Sequence, residues 1–431
     1  MKLQRLTEVE LAEDYGSFQE AEAKVKEAVF VAGQQLMGEL MRMYEAAVLE
    51  RRQFWKKDVK VKRFQTLVGE VKMKRWRVWD WKEERHRYPL DEWMQVGVQE
   101  KATPALQQAI VQACVQRSYR QATQEVAHWT GVKRSPMTNW KLIQQVATAG
   151  QAKEPPVPDW YLKPLPSLDP RFKADPCPIL GIDPDATYCH NQDGLGKDHE
   201  VKMAVLYTGK EAEDGKKKRW RLVNKQIFFS RSQETVREFH NRVTQMAMSR
   251  YGAHAQTRIV IHGDGDPWIK SLKTNYWDHA LIRLDPWHVM KKIRIATGLR
   301  EVPAEWKALI YGHPDRLVFQ LQGFKLHHTA PQSPEWQKLN ELIGYFKNNR
   351  DGLLPSGVSP EIKQKYPRMF VRGSGTIESN VGHLFNARFK QAHMSWSPKG
   401  LDNLAYLRER YLNGESQSRY KVPQPLTRKV A

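Results

Sequence analysis

An apolar run in this chain ends in GDGDPWIK (263–270), two aspartates set among glycines. Carboxylates at the end of a buried segment are costly unless they are solvated or engaged with a cation. Asp264 lies between Gly263 and Gly265, which let backbone approach a ligand closely, and it has no evident capping duty. It is therefore a candidate for chemistry. Asp266 precedes Pro267, the N-cap and first-helical-proline arrangement, and that structural role accounts for it. A second pair, Asp183 and Asp185, flanks Pro184 in PILGIDPDATYCH (178–190). Either could be an active acid or the mark of an irregular strand. Glu378 falls in the first turn of SGTIESNVGHLFNARFKQ (374–391), where the helix dipole alone favours an acid. In LIRLDPWHVMKK, Asp285 is another N-cap before a proline, and His288 follows one turn later as a structural or accessory group. Three gathered carboxylates could hold two divalent cations about 3.5–4 Å apart, one activating an attacking oxygen and one steadying the leaving oxygen of a phosphodiester. Hard Mg²⁺, with Mn²⁺ as substitute, suits such oxygen ligands. No histidine cluster has zinc spacing, and no GxxxxGK[ST] loop points to a nucleotide cofactor.

The elements that must carry these acids follow from periodicity and turn residues. After residue 178 the pattern predicts strands at 178–190, 199–209 and 219–230, joined by the short turns of antiparallel hairpins. A helix is expected over 232–252, with Ser232 as its cap and Val236, Phe239, Val243 and Met246 on one face. Strand TRIVIHG, helix PWIKSLKTNYW, strand ALIRL (280–284) and helix PWHVMKKIRIATG then alternate, which implies parallel pairing. This order resembles the ribonuclease-H-like fold, an α/β class with a mixed sheet. That resemblance implies acids on the first strand, at the end of the fourth strand and on a late helix.

Eight prolines in 151–178 mark a semi-rigid linker. Before it, residues 1–150 read as a mostly helical, DNA-binding region with a β-hairpin at 63–81. Three short helices are expected over 103–147, opened by Thr103-Pro104, Ser118 and Ser135-Pro136. The last two resemble a helix-turn-helix or an ordinary helical hairpin. In the first case Asn139 and Lys141 face a DNA groove, and Lys133 and Arg134 meet phosphates.

The 69 basic residues exceed the 48 acidic ones by 21, which calls for a polyanionic partner; double-stranded DNA fits best. No apolar run approaches a membrane span, and the polar N-terminal stretch has no signal-peptide core. Cys114, Cys177 and Cys189 are scattered, in keeping with a reducing, cytoplasmic setting. The expected location is the bacterial nucleoid.

Five segments together resemble the DDE-type bacterial insertion-sequence transposases of the ISLre-type family, distantly similar to the Mutator-like group. They are GEVKMKRWRVWDWKEERHRYPLDEW (69–93), DATYCHNQ (185–192), GDGDPWIK (263–270), RLDPWHVMKK (283–292) and SGTIESNVGHLFNARFKQAHMSWSPKG (374–400). The resemblance implies Asp185, Asp264 and Glu378 as the catalytic, metal-holding acids, with Asp183 as an alternative to Asp185. It also implies two Mg²⁺ ions, binding to terminal inverted repeats, and strand transfer by a liberated 3′-hydroxyl. Further implications are a core starting at 179–288, an all-helical insertion at 289–373 and a closing segment 374–431. Arg388, Lys390 and the basic run 216–219 are candidate phosphate contacts, and a homodimer or larger assembly on DNA is expected. A nuclease without strand transfer and a domesticated DNA-binding protein are the competing expectations.

Overall fold

The computed structural model describes residues 17–51, 53–158, 160–164, 174–194, 197–212, 220–354, 364–365 and 381–415. Glu378 and the run 216–219 lie outside the described residues. The chain is mixed α/β and divides into two compact units, residues 1–154 with 406–431, and residues 155–405.

The first unit opens with helix α1 (Phe18–Leu49), capped by Ser17. Strands β1 (Phe54–Thr66) and β2 (Gly69–Asp80) form an antiparallel hairpin, longer at its open end than 63–81, and β3 (Arg85–Arg87) pairs with the end of β2. Alternation buries one hairpin face: Phe64, Val71 and Met73 pack with Met41 of α1 and with Leu90 and Val96. Two cations on that face, Lys62 and Arg75, are both held by the buried carboxylate of Asp91 in α2 (Pro89–Trp93). The three helices expected next are α3 (Pro104–Gln116), α4 (Tyr119–Thr130) and α5 (Pro136–Gln151), capped by Thr103, Ser118 and Ser135.

One expectation fails here. Asn139 is fully buried and cannot face a DNA groove. Its amide donates to Thr123 Oγ1 at 3.0 Å and accepts from Arg134 Nε at 2.9 Å. Arg134 in turn reaches Gln65 of β1 at 2.5 Å, so it ties helix to hairpin rather than waiting for a phosphate. A short polar side chain on an apolar helix face was read as a reader of bases, but it satisfies the interior. Lys133 and Lys141 are exposed.

The second unit is built on a mixed sheet. Its strands are β4 (Ile179–Asn191), β5 (His199–Tyr207), β8 (Gln226–Phe229), β9 (Arg258–Gly263) and β10 (Leu281–Leu284), in the order β10-β9-β4-β5-β8. β5 runs antiparallel to β4 and to β8; β9 runs parallel to β4 and to β10. The segment 219–230, expected as one strand, is two. Asn224 takes a positive φ of 51° and breaks it. Its first half, β7 (Trp220–Val223), instead pairs with β6 (Gly209–Ala212) in a small separate sheet.

One face of the large sheet presents Leu180, Ile182, Leu206, Ile259 and Ile261. These pack against Phe239, Val243 and Ala247 of α6 (Val236–Tyr251) and Leu272 of α7 (Pro267–Tyr276). Each such buried side chain contributes about 1.5–3 kcal/mol. The cap of α6 is Thr235 in a reciprocal box with Glu238, not Ser232, which donates to Asp402. Asn241 on α6 donates to the carbonyls of Pro158 and Trp160, so the start of the proline-rich stretch is pinned.

After β10 come α8 (Pro286–Thr297), α9 (Ala304–Ile310), α10 (Pro314–His328), α11 (Pro334–Asn348) and the short α12 (Arg350–Leu353). They share a core of their own around Ile293, Trp306, Leu321, Leu339 and Phe346, joined by Leu284 of β10. A π-helical turn (Val381–Asn386) leads to β11 (Ser395–Trp396), which pairs with the end of β4, and to α13 (Pro398–Leu412). Among the described residues no helix is long and apolar enough to cross a membrane.

His240 of α6 is buried beside Trp268 and Tyr276, and burial, reinforced by Lys202, pushes its pKa down to about 4. The unfolded chain takes up this proton near the ordinary value of about 6.5 while the folded one stays neutral. The contribution is therefore intact above pH ~6.5 and lost as pH falls towards 4, by of the order of 3 kcal/mol. Urea denaturation across that window should show the loss, and His240→Leu should flatten it.

Candidate active site

Strand register sets the acids' positions. The last pair between β4 and β9 is Ile182 with Ile261, and the last between β9 and β10 is Gly263 with Leu284. Counting on three residues from the first pair gives Asp185 and Asp264. Counting on one from the second gives Asp264 and Asp285. Extended in this way, the register aligns Asp185 on β4 with Asp264 and Asp285, each the first residue past its strand, on three neighbours spaced about 4.8 Å apart. They stand where β9 and β10 end while β4 continues, at the carboxyl edge where ligands of open α/β sheets collect.

Asp264 is half-buried. Its Oδ1 accepts from the Asp266 backbone N–H at 3.0 Å, and its carbonyl accepts from the Tyr345 hydroxyl at 2.7 Å. Gly265 follows with φ +88°, and a β-carbon there would run into the Asn349 side-chain amide. Asn349 itself donates to the Tyr345 carbonyl at 2.9 Å. The end of α11 thus clamps the turn that aims Asp264. Asp266 does stand at the N-cap of α7 with Pro267 next, as expected, but its side chain makes no capping hydrogen bond. Partial burial, then the neighbouring Asp264 charge, raises its carboxyl above the usual range.

Asp183 and Asp185 part company. Asp183 is fully buried, accepting from Tyr207 OH and facing His262 Nδ1, each at 3.0 Å. Tyr207 and His262 are themselves 3.2 Å apart, and burial followed by the Asp183 charge holds the phenol well above its ordinary pKa. This sealed network belongs to the sheet's interior. Asp185 is half-exposed, its Oδ1 accepting from the Ala186 N–H at 2.8 Å.

Asp285 is buried and caps α8, Oδ1 accepting from the N–H groups of Trp287 (2.9 Å) and His288 (3.4 Å). The His288 ring lies 3.5 Å from the same oxygen, and Oδ2 has no hydrogen-bond partner among the described residues. Burial pushes the Asp285 carboxyl up, but these contacts outweigh it and leave the pKa low. For His288 burial pulls down, while Asp285, Asp185 and Asp264 together raise it above the ordinary histidine value. One imidazole therefore senses all three aspartates.

Among the described residues no group of three or more His, Cys, Asp or Glu side chains is placed to hold a metal ion. Glu378, the third expected acid, is outside them. Thr187, two residues past Asp185, donates to Asn386 at 3.3 Å, eight residues past Glu378. Arg388, expected at a phosphate, is buried, with its guanidinium against the Phe389 and Trp396 rings. Lys390 is exposed. The Asp183–Tyr207–His262 network and the Tyr345–Asn349 clamp escaped sequence reasoning. The available signal was a histidine, His262, closing a continuous apolar strand that is buried on both faces.

Residues 11–423 match the model of an uncharacterised protein family, UPF0236. The chain belongs to this family. A UPF0236 protein of Caldanaerobacter subterraneus subsp. tengcongensis is 23% identical over 398 residues, 90% of this chain and 74% of that one. Another from the same organism, whose name carries eleven locus designations, is 21% identical over 91% of this chain and 77% of its own length. A UPF0236 protein in the vanSb 3′ region of Streptococcus gallolyticus is 22% identical over 83% of this chain and 74% of its own.

Two outcomes test this geometry. Gly265→Ala should destabilise the second unit by roughly 1–3 kcal/mol through strain at a positive φ and collision with Asn349, read by urea denaturation. In an NMR titration, the His288 ring should lose its proton above the ordinary value of about 6.5. Asp285→Asn should bring that midpoint down, because the nearest negative charge is gone.

Proposed function

We propose that this protein is a DNA transposase of the DDE type, with a ribonuclease-H-like core that cuts transposon ends and joins them to target DNA. The observation that carries the reading is the β4–β9 register, which, extended three residues past its last pair, brings Asp185 level with Asp264 in a sheet ordered β10-β9-β4-β5-β8. The family relative with eleven locus designations is what an element that copies itself through a genome would leave behind. The excess of 21 positive charges suits a DNA substrate.

The donors suit Mg²⁺ in kind, being carboxylate oxygens, with Asp185 on β4 and Asp264 just past the end of β9, and Asp285 Oδ2 is without a hydrogen-bond partner among the described residues. Asp185, Asp264 and Glu378 would hold the metal, with two ions per site. Bound ions would supply activation of the attacking oxygen and stabilisation of the leaving oxygen. The chain's own residues do the rest. The Tyr345–Asn349 clamp orients Asp264. Asp285 fixes the first turn of α8 and the His288 ring. Protonated His288 adds positive charge where a DNA phosphate would enter. Water attacks the end phosphodiester, and the freed 3′-hydroxyl then attacks target DNA, so no covalent enzyme–DNA intermediate forms.

The decisive assay uses purified protein, labelled DNA carrying the inverted repeats that flank the gene, a target plasmid, and Mg²⁺ or Mn²⁺. Wild type should nick the ends and join them to the plasmid. Asp185→Asn, Asp264→Asn and Glu378→Gln should each fall about a hundred- to a thousandfold, of the order expected when a charge-stabilising group is lost. Nicks without joined products would leave a nuclease. Specific binding without cutting would leave a DNA-binding protein.

A further inference from the structure

The hairpin of the first unit has a second face that its core does not use. Three cross-strand pairs line it: Val59 with Trp76, Val61 with Lys74, and Arg63 with Lys72. The opposite face carries Phe64, Val71 and Met73 into the core. Residues 54–80 hold nine Lys and Arg against three Asp and Glu, a net charge of +6 in 27 residues. The acids are already engaged. Asp58 pairs with Arg77 at 2.6 Å, Glu70 with Arg63 at 3.3 Å, and Asp80 with Arg87 at 2.5 Å. Lys72 and Lys74 are exposed and have no acidic partner among the described residues. Between the cations sit two exposed apolar groups, Val59 (41%) and Val61 (56%). β3 reaches only Val78–Asp80, and the segment around Ala102 bridges only Gln65 at the other end, so Val59–Arg63 and Lys72–Trp76 form a two-stranded ribbon.

We propose that this outer face is a duplex-DNA-binding surface, in which a two-stranded ribbon rather than a helix enters the major groove. The dimensions suit it: strands spaced about 4.8 Å apart fit a groove about 12 Å wide. Lys72, Lys74 and Arg63 would meet phosphates, the exposed Arg63–Glu70 pair being weak enough to exchange. Val59 and Val61 would offer apolar contact to thymine methyl groups. The proposal gives the proposed transposase a recognition element in place of the Asn139 contact that burial removes. It rests on that reading only in taking DNA as the partner.

The test measures binding of the full-length protein to a fluorescein-labelled 40-base-pair duplex of mixed sequence between 50 and 200 mM salt. Lys72→Gln/Lys74→Gln should weaken binding at least tenfold at 100 mM salt and reduce the slope of log K against log [salt] by about 1.8, the share of two phosphate contacts. Lys133→Gln/Lys141→Gln should change both less. Unchanged melting temperature would show that the ribbon variant is folded. Wild-type affinity and slope in the ribbon variant would overturn the proposal. So would tighter binding to single-stranded RNA of the same sequence. Metal-dependent end cutting by wild type is scored separately: ribbon-dependent binding without cutting sinks the transposase reading alone, and cutting that ignores the ribbon variant sinks the ribbon alone.

Discussion

Parallel pairing of β9 with β4 on one side and β10 on the other is the constraint on which the candidate site depends. Backbone hydrogen bonds between parallel strands fix relative position to within a residue, and a slip of one would turn every side chain to the other face. The pairing holds Ile182 beside Ile261 and Gly263 beside Leu284. Asp185, Asp264 and Asp285 then come level without touching one another. Three like charges would repel if nothing compensated them. His288 on α8 and the capping N–H groups supply that compensation, as the opposite shifts of Asp285 and His288 reflect.

The same sheet explains why neighbouring acids have different fates. Asp183 and Asp185 are two residues apart on one strand face. Asp183 lies level with His262 and within reach of Tyr207, one residue past the last β4–β9 pair, and is fully buried there. Asp185 lies two residues further along, past the end of β9, and is half-exposed. A difference of one strand step separates a structural carboxylate from an available one. Further out, the helices after β10 act on the site through Tyr345 and Asn349, which grip the Asp264–Gly265 turn. A group of helices with its own core can in this way hold a loop of the sheet rigid.

Buried polar groups recur as ties in both units. Asn139, Arg134 and Gln65 join helix to hairpin in the first. Ser232 and Asp402 join the start of α6 to α13 in the second. Such groups are stable inside only when hydrogen-bonded, so each marks a contact that cannot shift without cost. They are also where sequence reading went astray, because a polar residue at a helix surface and one in an interior network look alike along the chain.

Periodicity and turn residues in the sequence determined most elements: the hairpin around Gly69, the caps Thr103, Ser118 and Ser135, and the strand–helix alternation that places Asp264 at a strand end. These signals are local, carried by side chains within a few residues of each other. Tertiary structure alone decided which of Asp183 and Asp185 is accessible, that Asn139 and Arg388 are buried, that the Asp266 side chain makes no capping hydrogen bond, and that 219–230 splits at Asn224. Those outcomes turn on partners such as His262, distant in sequence, and burial and hydrogen bonding across such distances leave no periodic trace in the chain.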